Sequence, residues 1–138
     1  MKMKLRFPQA DSLTEPYWAS ASRGELSFPR CVACDQHHFY PRPACPNCGG
    51  EELMWDPVSG HGTIYSYSVV HRAPGPDFAD DVPYVIAIVK SAEGPHLLTR
   101  IIDIEPERVR VGMDVSVHFV QLPDNMQLPV FSSAGGDT

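Results

Sequence analysis

Apolar positions follow two spacings along the chain, and the change between them divides it. Between Ser12 and Arg23, Tyr17, Trp18 and Ala21 share one face while Ser20 and Arg23 are polar, which predicts a short helix. Ser12 and Glu15 have the spacing of a capping box. Thr14 is the better N-cap, because Pro16 then falls in the first turn, where a missing N–H costs little. Gly24 supplies the stop. The apolar face either packs on the neighbouring segment or docks a partner.

From Glu52 the texture changes to strands. Leu53 to Trp55 is a short one, and His61 to Arg72 is the longest, carrying Ile64, Tyr65, Tyr67, Val69 and Val70. Tyr84 to Ser91 is almost continuously apolar, which predicts burial on both faces. Glu93-Gly94 turns into Leu97 to Ile104. Val115 to Gln121 alternates, Leu128 to Phe131 is a last strand, and the end from Ser132 is expected to fray. Residues 73–83, rich in proline and aspartate, form a long loop of the kind that often carries function.

Several short antiparallel strands, one long loop and no second helix predict a mainly β protein ending in a five-stranded OB-type barrel. An SH3-like barrel or a small sandwich fits the periodicity as well, since alternation does not fix strand order. The expected organisation is an N-terminal arm and docking helix over residues 1–25, a metal ribbon over 26–52, the barrel over 53–132 and a flexible tail over 133–138.

The ribbon rests on the cysteines. The chain has 4, as Cys31-Val32-Ala33-Cys34 and Cys45-Pro46-Asn47-Cys48. A Cys-x-x-Cys turn aims two sulfurs at one point, and two such turns supply the corners of a tetrahedron. A structural zinc ion on Cys31, Cys34, Cys45 and Cys48 is the leading reading. Rubredoxin-type iron and a pair of disulfides are the alternatives. His37 and His38 lie between the pairs but are not needed as ligands.

With 138 residues the chain suits one domain, or a small domain plus a metal-stapled module. The formal charge is −6, and four thiolates around one dication would take it to about −8. Such acidity argues against a protein that coats nucleic acid. No apolar run has the length of a signal-peptide core or a membrane span, so a reducing cytoplasmic setting is expected.

Several marks together resemble a known family. They are Tyr17-Trp18, Gly24-Glu25-Leu26, the two cysteine pairs, and Pro41-Arg42 ahead of Cys45. Further on come Gly60-His61-Gly62-Thr63-Ile64-Tyr65-Ser66-Tyr67, Pro83-Tyr84-Val85-Ile86-Ala87, Glu93-Gly94-Pro95 and Val111-Gly112-Met113. In order and spacing they resemble the zinc-ribbon/OB-fold proteins associated with acyl-CoA metabolism. The resemblance implies a rubredoxin-like ribbon, an OB barrel and a docking helix. It also implies an accessory subunit that works beside a thiolase, a thiolase-like aldolase or a hotdog-fold hydratase. In such a hetero-oligomer the partner carries the catalytic residues. The chain shows no hydratase or hotdog segment, so that partner is expected to be a separate protein.

The residues are consistent with a helper rather than a catalyst. All cysteines are committed to metal, and a four-thiolate zinc keeps no open position for water or substrate. There is no nucleophile elbow, dinucleotide fingerprint or P-loop. A CoA thioester wants cations for its phosphates and a flat surface for its adenine. Arg42, Arg72 and Arg100 are candidates for the first, and Tyr40, Phe78 and Tyr84 for the second. Arg42, Arg72, Phe78 and Tyr84 form the expected CoA-contact set. The competing reading is a nucleic-acid module in which Tyr65, Tyr67 and Phe119 stack on bases.

Overall fold

The computed structural model describes residues 11–76, 79–122 and 126–133. The arm at residues 1–10, Phe78 and the tail from residue 134 lie outside them.

The helix is α1, Glu15–Ser22, with Thr14 at the N-cap position. The expected Ser12–Glu15 capping box is replaced by a reciprocal pair one residue earlier. Asp11 Oδ1 accepts the Thr14 N–H at 2.8 Å, and Thr14 Oγ1 accepts the Asp11 N–H at 3.0 Å. Asp11 wins because its short carboxylate also accepts the Leu13 N–H at 3.0 Å, closing an Asx turn. These hydrogen bonds, led by those from Thr14, hold the Asp11 carboxyl below its ordinary range. At the other end Gly24 adopts φ +77°. Its N–H donates to Ala21 O at 2.9 Å, and Glu25 N–H to Ser20 O at 3.0 Å, the paired bonds of a Schellman stop.

β1 (Ser27–Cys31) and β2 (Leu53–Pro57) pair antiparallel as a separate two-stranded sheet, with Cys31 opposite Leu53. The strand opening at Leu53 thus pairs with β1 and not with a barrel strand. The barrel holds β3 (His61–Val70), β4 (Tyr84–Ser91), β5 (His96–Ile102), β6 (Asp114–Gln121) and β7 (Gln127–Ser133). It closes in the order β3-β4-β5-β7-β6, with β3 paired to β6 and only the β5–β7 pair parallel. This is the expected five-stranded OB barrel.

A register shift between Ile64 and Ser66 bends β3, so that it serves β6 at one end and β4 along most of its length. Gly62, two residues before the shift, is paired on both sides, with Ser91 and Val115. A Cβ there would stand 2.6 Å from Val89 Cγ1 and 2.7 Å from Lys90 O, so the strands can approach this closely only without a side chain.

Ile64, Val85, Val89, Leu97, Ile101, Val115 and Phe131 fill the core, which is continuous with Tyr17, Leu26 and Phe28 from the helix and ribbon. Burial along β4 corrects one expectation. Val85, Ala87 and Val89 point inward, but Ile86 is 37% exposed. A barrel has a single interior, so the apolar run of β4 does not mean two buried faces. Ser132 and Ser133 do not fray; they pair with Ser116 and Val115.

Candidate metal centre and the ribbon–barrel junction

Each cysteine pair sits on a tight turn. The Asp35 N–H donates to Cys31 O at 2.8 Å, and the Gly49 N–H donates to Cys45 O at 2.9 Å. The residue after each second cysteine is left-handed: Asp35 at φ 65° and Gly49 at φ 82°. Glycine enters that region without cost, and aspartate is among the few other residues that tolerate it.

The four sulfurs lie within 4.8 Å of one another. Cys31 and Cys48 Sγ are 3.5 Å apart, and Cys34 and Cys45 Sγ 3.7 Å. A tetrahedron with Zn–S near 2.3 Å has S–S edges of about 3.8 Å, whereas a disulfide needs about 2.05 Å. The donor set thus fits a dication and excludes the disulfide pairs. Asn47 braces it from outside, donating its N–H to Cys45 Sγ at 3.3 Å and its Nδ2 to Cys34 Sγ at 3.5 Å.

Without a cation the thiols divide. The Asn47 amide brings Cys34 down to about 6. At Cys48 the Gly50 N–H pulls downward, but the thiols of Cys31, Cys34 and Cys45 carry it up to about 12. Four sulfurs this close become four thiolates only with positive charge between them. Neither histidine joins the set. His37 Nε2 is 2.8 Å from Asp56 Oδ2, and only the four cysteines gather as ligands among the described residues.

The ribbon meets the barrel through a few polar ties and one aromatic cluster. Leu98 N–H donates to Tyr40 Oη at 3.0 Å and Ser59 N–H to Glu93 Oε2 at 2.8 Å. β5 pairs with β7 only at Ile101 and Ile102, which leaves the first half of β5 without that neighbour. Side chains from α1 and the ribbon cover the gap. Ring centroids of Tyr17 and Phe39 stand 5.2 Å apart, and those of Phe39 and Tyr40 4.4 Å. Between them remains an apolar hollow of about 240 Å³, lined by Tyr17, Trp18, Phe39, Tyr40, Leu97 and Leu128 among others. Burial holds the Tyr17 phenol well above its ordinary value, so it stays neutral.

The helix face carrying Tyr17 and Ala21 is thus packed internally, with α1 against β1, β2 and β7. What it leaves towards solvent is the half-buried Trp18 and the exposed Leu13.

The expected CoA contacts come from different stretches of the fold. Arg42 is exposed between the knuckles. Arg72 is exposed just beyond β3, and Tyr84 opens β4 opposite Val70, so those two share one end of a hairpin. Phe78 lies outside the described residues. Arg100 is no phosphate ligand. It is buried, with Nη1 3.3 Å from Asp81 Oδ2 and its guanidinium 4.1 Å from the Tyr84 ring centroid. Of the proposed stacking residues, Tyr65 and Tyr67 are exposed and Phe119 is half-buried. Sequence reasoning missed the junction roles of Tyr40 and Glu93. Glu93 reads as a turn residue, and nothing local marks it as the anchor for Ser59.

Comparison with known proteins agrees with this architecture. Residues 18–53 match the family described as "ChsH2, rubredoxin-like zinc ribbon domain", and residues 55–120 match "ChsH2, C-terminal OB-fold domain". A "Probable enoyl-CoA hydratase alpha subunit" of Thermomonospora curvata is 37% identical over 86% of this chain. The match spans only 36% of that longer protein. A "DUF35 domain-containing scaffold protein" of Methanocaldococcus jannaschii is 40% identical, over 70% of this chain and 68% of its own. Among solved structures, the "Ltp2-ChsH2(DUF35) aldolase" superposes with a TM-score of 0.84 at 33% identity, covering 93% of this chain and 99% of that one. The chain belongs to the DUF35 family, built as a ChsH2-type zinc ribbon followed by an OB-fold barrel.

Proposed function

We propose that this chain is an accessory, non-catalytic subunit of a thiolase-type acyl-CoA complex, where it helps to position the CoA thioester and stabilises its partner. The observation that carries the reading is an apolar surface on an acidic chain. It runs from the hollow at Tyr17, Trp18 and Tyr40 onto the outer barrel face at Leu98, Ile86 and Tyr67, where Leu98 is 61% exposed. An exposed apolar tract of this kind marks an interaction surface. The structural likeness to an aldolase assembly supports a carbon–carbon bond enzyme as the partner.

The metal would be held by Cys31, Cys34, Cys45 and Cys48 and, with four thiolates, would supply folding energy rather than a reactive water. Arg72 and Tyr84 would meet the CoA headgroup from one end of the β3–β4 hairpin, with Arg42 contributing from the ribbon and Phe78 from the loop between. The second reading is an acyl-CoA hydratase subunit, favoured by the name carried by the Thermomonospora relative.

Co-purification of the chain at native abundance, followed by CoA-ester binding with and without the recovered partner, tests both. A thiolase-like partner that binds CoA thioester more tightly with this chain present supports the first reading. A hydratase supports the second. A chain that stays monomeric and leaves CoA binding unchanged refutes both.

A further inference from the structure

The apolar hollow of about 240 Å³ at the junction reaches the start of α1, where Thr14 forms part of its wall. Trp18, Phe39, Leu97 and Leu128 are among its other walls, and no charged side chain of the described residues lines it. Asp11 is fastened to Thr14 by hydrogen bonds of 2.8 and 3.0 Å. The chain therefore enters the described fold at the edge of the hollow. Ahead of that point the sequence reads Met1-Lys2-Met3-Lys4-Leu5-Arg6-Phe7-Pro8. Apolar and basic residues alternate strictly from Met1 to Phe7, the pattern of an extended segment with one apolar edge and one basic edge.

We propose that the chain's own arm, residues 1–10, seals this hollow, laying Leu5 and Phe7 into it and keeping Lys2, Lys4 and Arg6 in water.

Reach favours this occupant. Phe7 stands four residues before Asp11, and extended chain spans about 3.6 Å per residue at most, so the Phe7 backbone stays within roughly 14 Å of Asp11. The hollow falls inside that radius, because Asp11 is bonded to a residue that lines it. Pro8 disfavours a helical Phe7, which carries the alternation through to the last apolar residue. Size agrees as well. An apolar cavity of about 150 Å³ admits benzene, so this one has room for a phenyl ring and an aliphatic neighbour. Charge points the same way. The arm holds three of the chain's 11 lysines and arginines and none of its 17 acidic residues. Asp11 and Glu15, both exposed, flank Thr14 and face an approaching basic edge. A tethered segment also acts at an effective concentration of order millimolar, which a second copy or a separate protein does not match. The outer barrel face at Leu98, Ile86 and Tyr67 remains for a partner.

The test follows the zinc-loaded full chain by NMR. The Phe7 ring should give NOEs to Trp18, Leu97 or Leu128. In a mixture of labelled and unlabelled chains these NOEs should stay within one copy. Phe7→Ser should abolish them and let trypsin cut after Lys4 about tenfold faster or more, because cleavage tracks the population of the open arm. Gln9→Ser, which leaves the apolar edge intact, should cut at the natural rate. A Phe7 ring without NOEs to the hollow leaves that surface to a partner and overturns the proposal. NOEs found only between copies assign the hollow to a second chain and overturn it too, as does equal cleavage of Phe7→Ser and the natural chain. None of these measurements uses a partner, so their failure is distinct from failure of the accessory-subunit reading.

Discussion

The Tyr40 hydroxyl accepts the backbone N–H of Leu98 at 3.0 Å, joining the hairpin between the knuckles to the part of β5 that β7 leaves unpaired. Two residues 58 apart in sequence thereby hold the two modules in one orientation. Tyr40→Phe keeps the ring and removes the acceptor. Water can reach the freed N–H, so the stability loss should stay near 1 kcal/mol. Hydrogen exchange at Leu98 should nevertheless rise, while amides deep in β4 stay protected. An unchanged Leu98 rate would show that the tie is not formed in solution.

The four-sulfur centre should be a folding element. Structural zinc binding is worth about 10–16 kcal/mol in small modules, which a ribbon of two short strands cannot replace. Cys45→Ser, or a strong chelator, should release one zinc per chain, unfold the ribbon and abolish partner binding together. The barrel, a closed sheet that encloses Ile64, Val85, Val89 and Phe131, should keep its β signal by circular dichroism. A Cys45→Ser chain that stays folded and bound to its partner would remove the ribbon from its scaffold role.

Arg100 and Asp81 form an ion pair whose side chains are 10% and 5% exposed, capped by the Tyr84 ring. Removing one member of such a pair leaves a buried charge and typically costs about 3–5 kcal/mol. Arg100→Leu should therefore destabilise strongly. Arg100→Leu with Asp81→Asn should recover part of the loss, because the orphaned charge is gone. A double-mutant cycle by urea denaturation measures this, and simple additivity would mean that the pair is not coupled.

His38 makes stability depend on pH. Its pKa lies below the ordinary 6.5 in the folded chain, through burial first and then the neighbouring Arg42 and His37. As pH falls through 6.5 the unfolded chain takes up this proton before the folded one, so stability falls with it; above 6.5 the contribution is fully present. The carboxylates of Asp35 and Glu93 line one cavity with His38. Denaturation midpoints across this range should drop towards acid in the natural chain and drop less in His38→Phe. Equal slopes would place the titrating group elsewhere.

Much of this molecule is written locally in the sequence. The two Cys-x-x-Cys pairs specify the metal centre because each turn needs only a few consecutive residues to aim its sulfurs. The glycine after Ser22-Arg23 fixes the helix stop through a left-handed conformation that other residues resist. Alternation along β3 to β7 gives a mainly β chain with an OB-sized set of strands. What tertiary structure alone decided is which elements meet. The strand at Leu53 pairs with β1 rather than with the barrel, because pairing partners are chosen by distant segments and not by periodicity. The apolar run of β4 has a bare outer face because a closed barrel has one interior. Arg100 is withdrawn from ligand binding by Asp81, and His38 and Glu93 reach one cavity because the ribbon folds back over the β4–β5 turn. Turns and ligand knuckles depend on neighbours in the chain, whereas burial, pairing and cavities depend on neighbours in space.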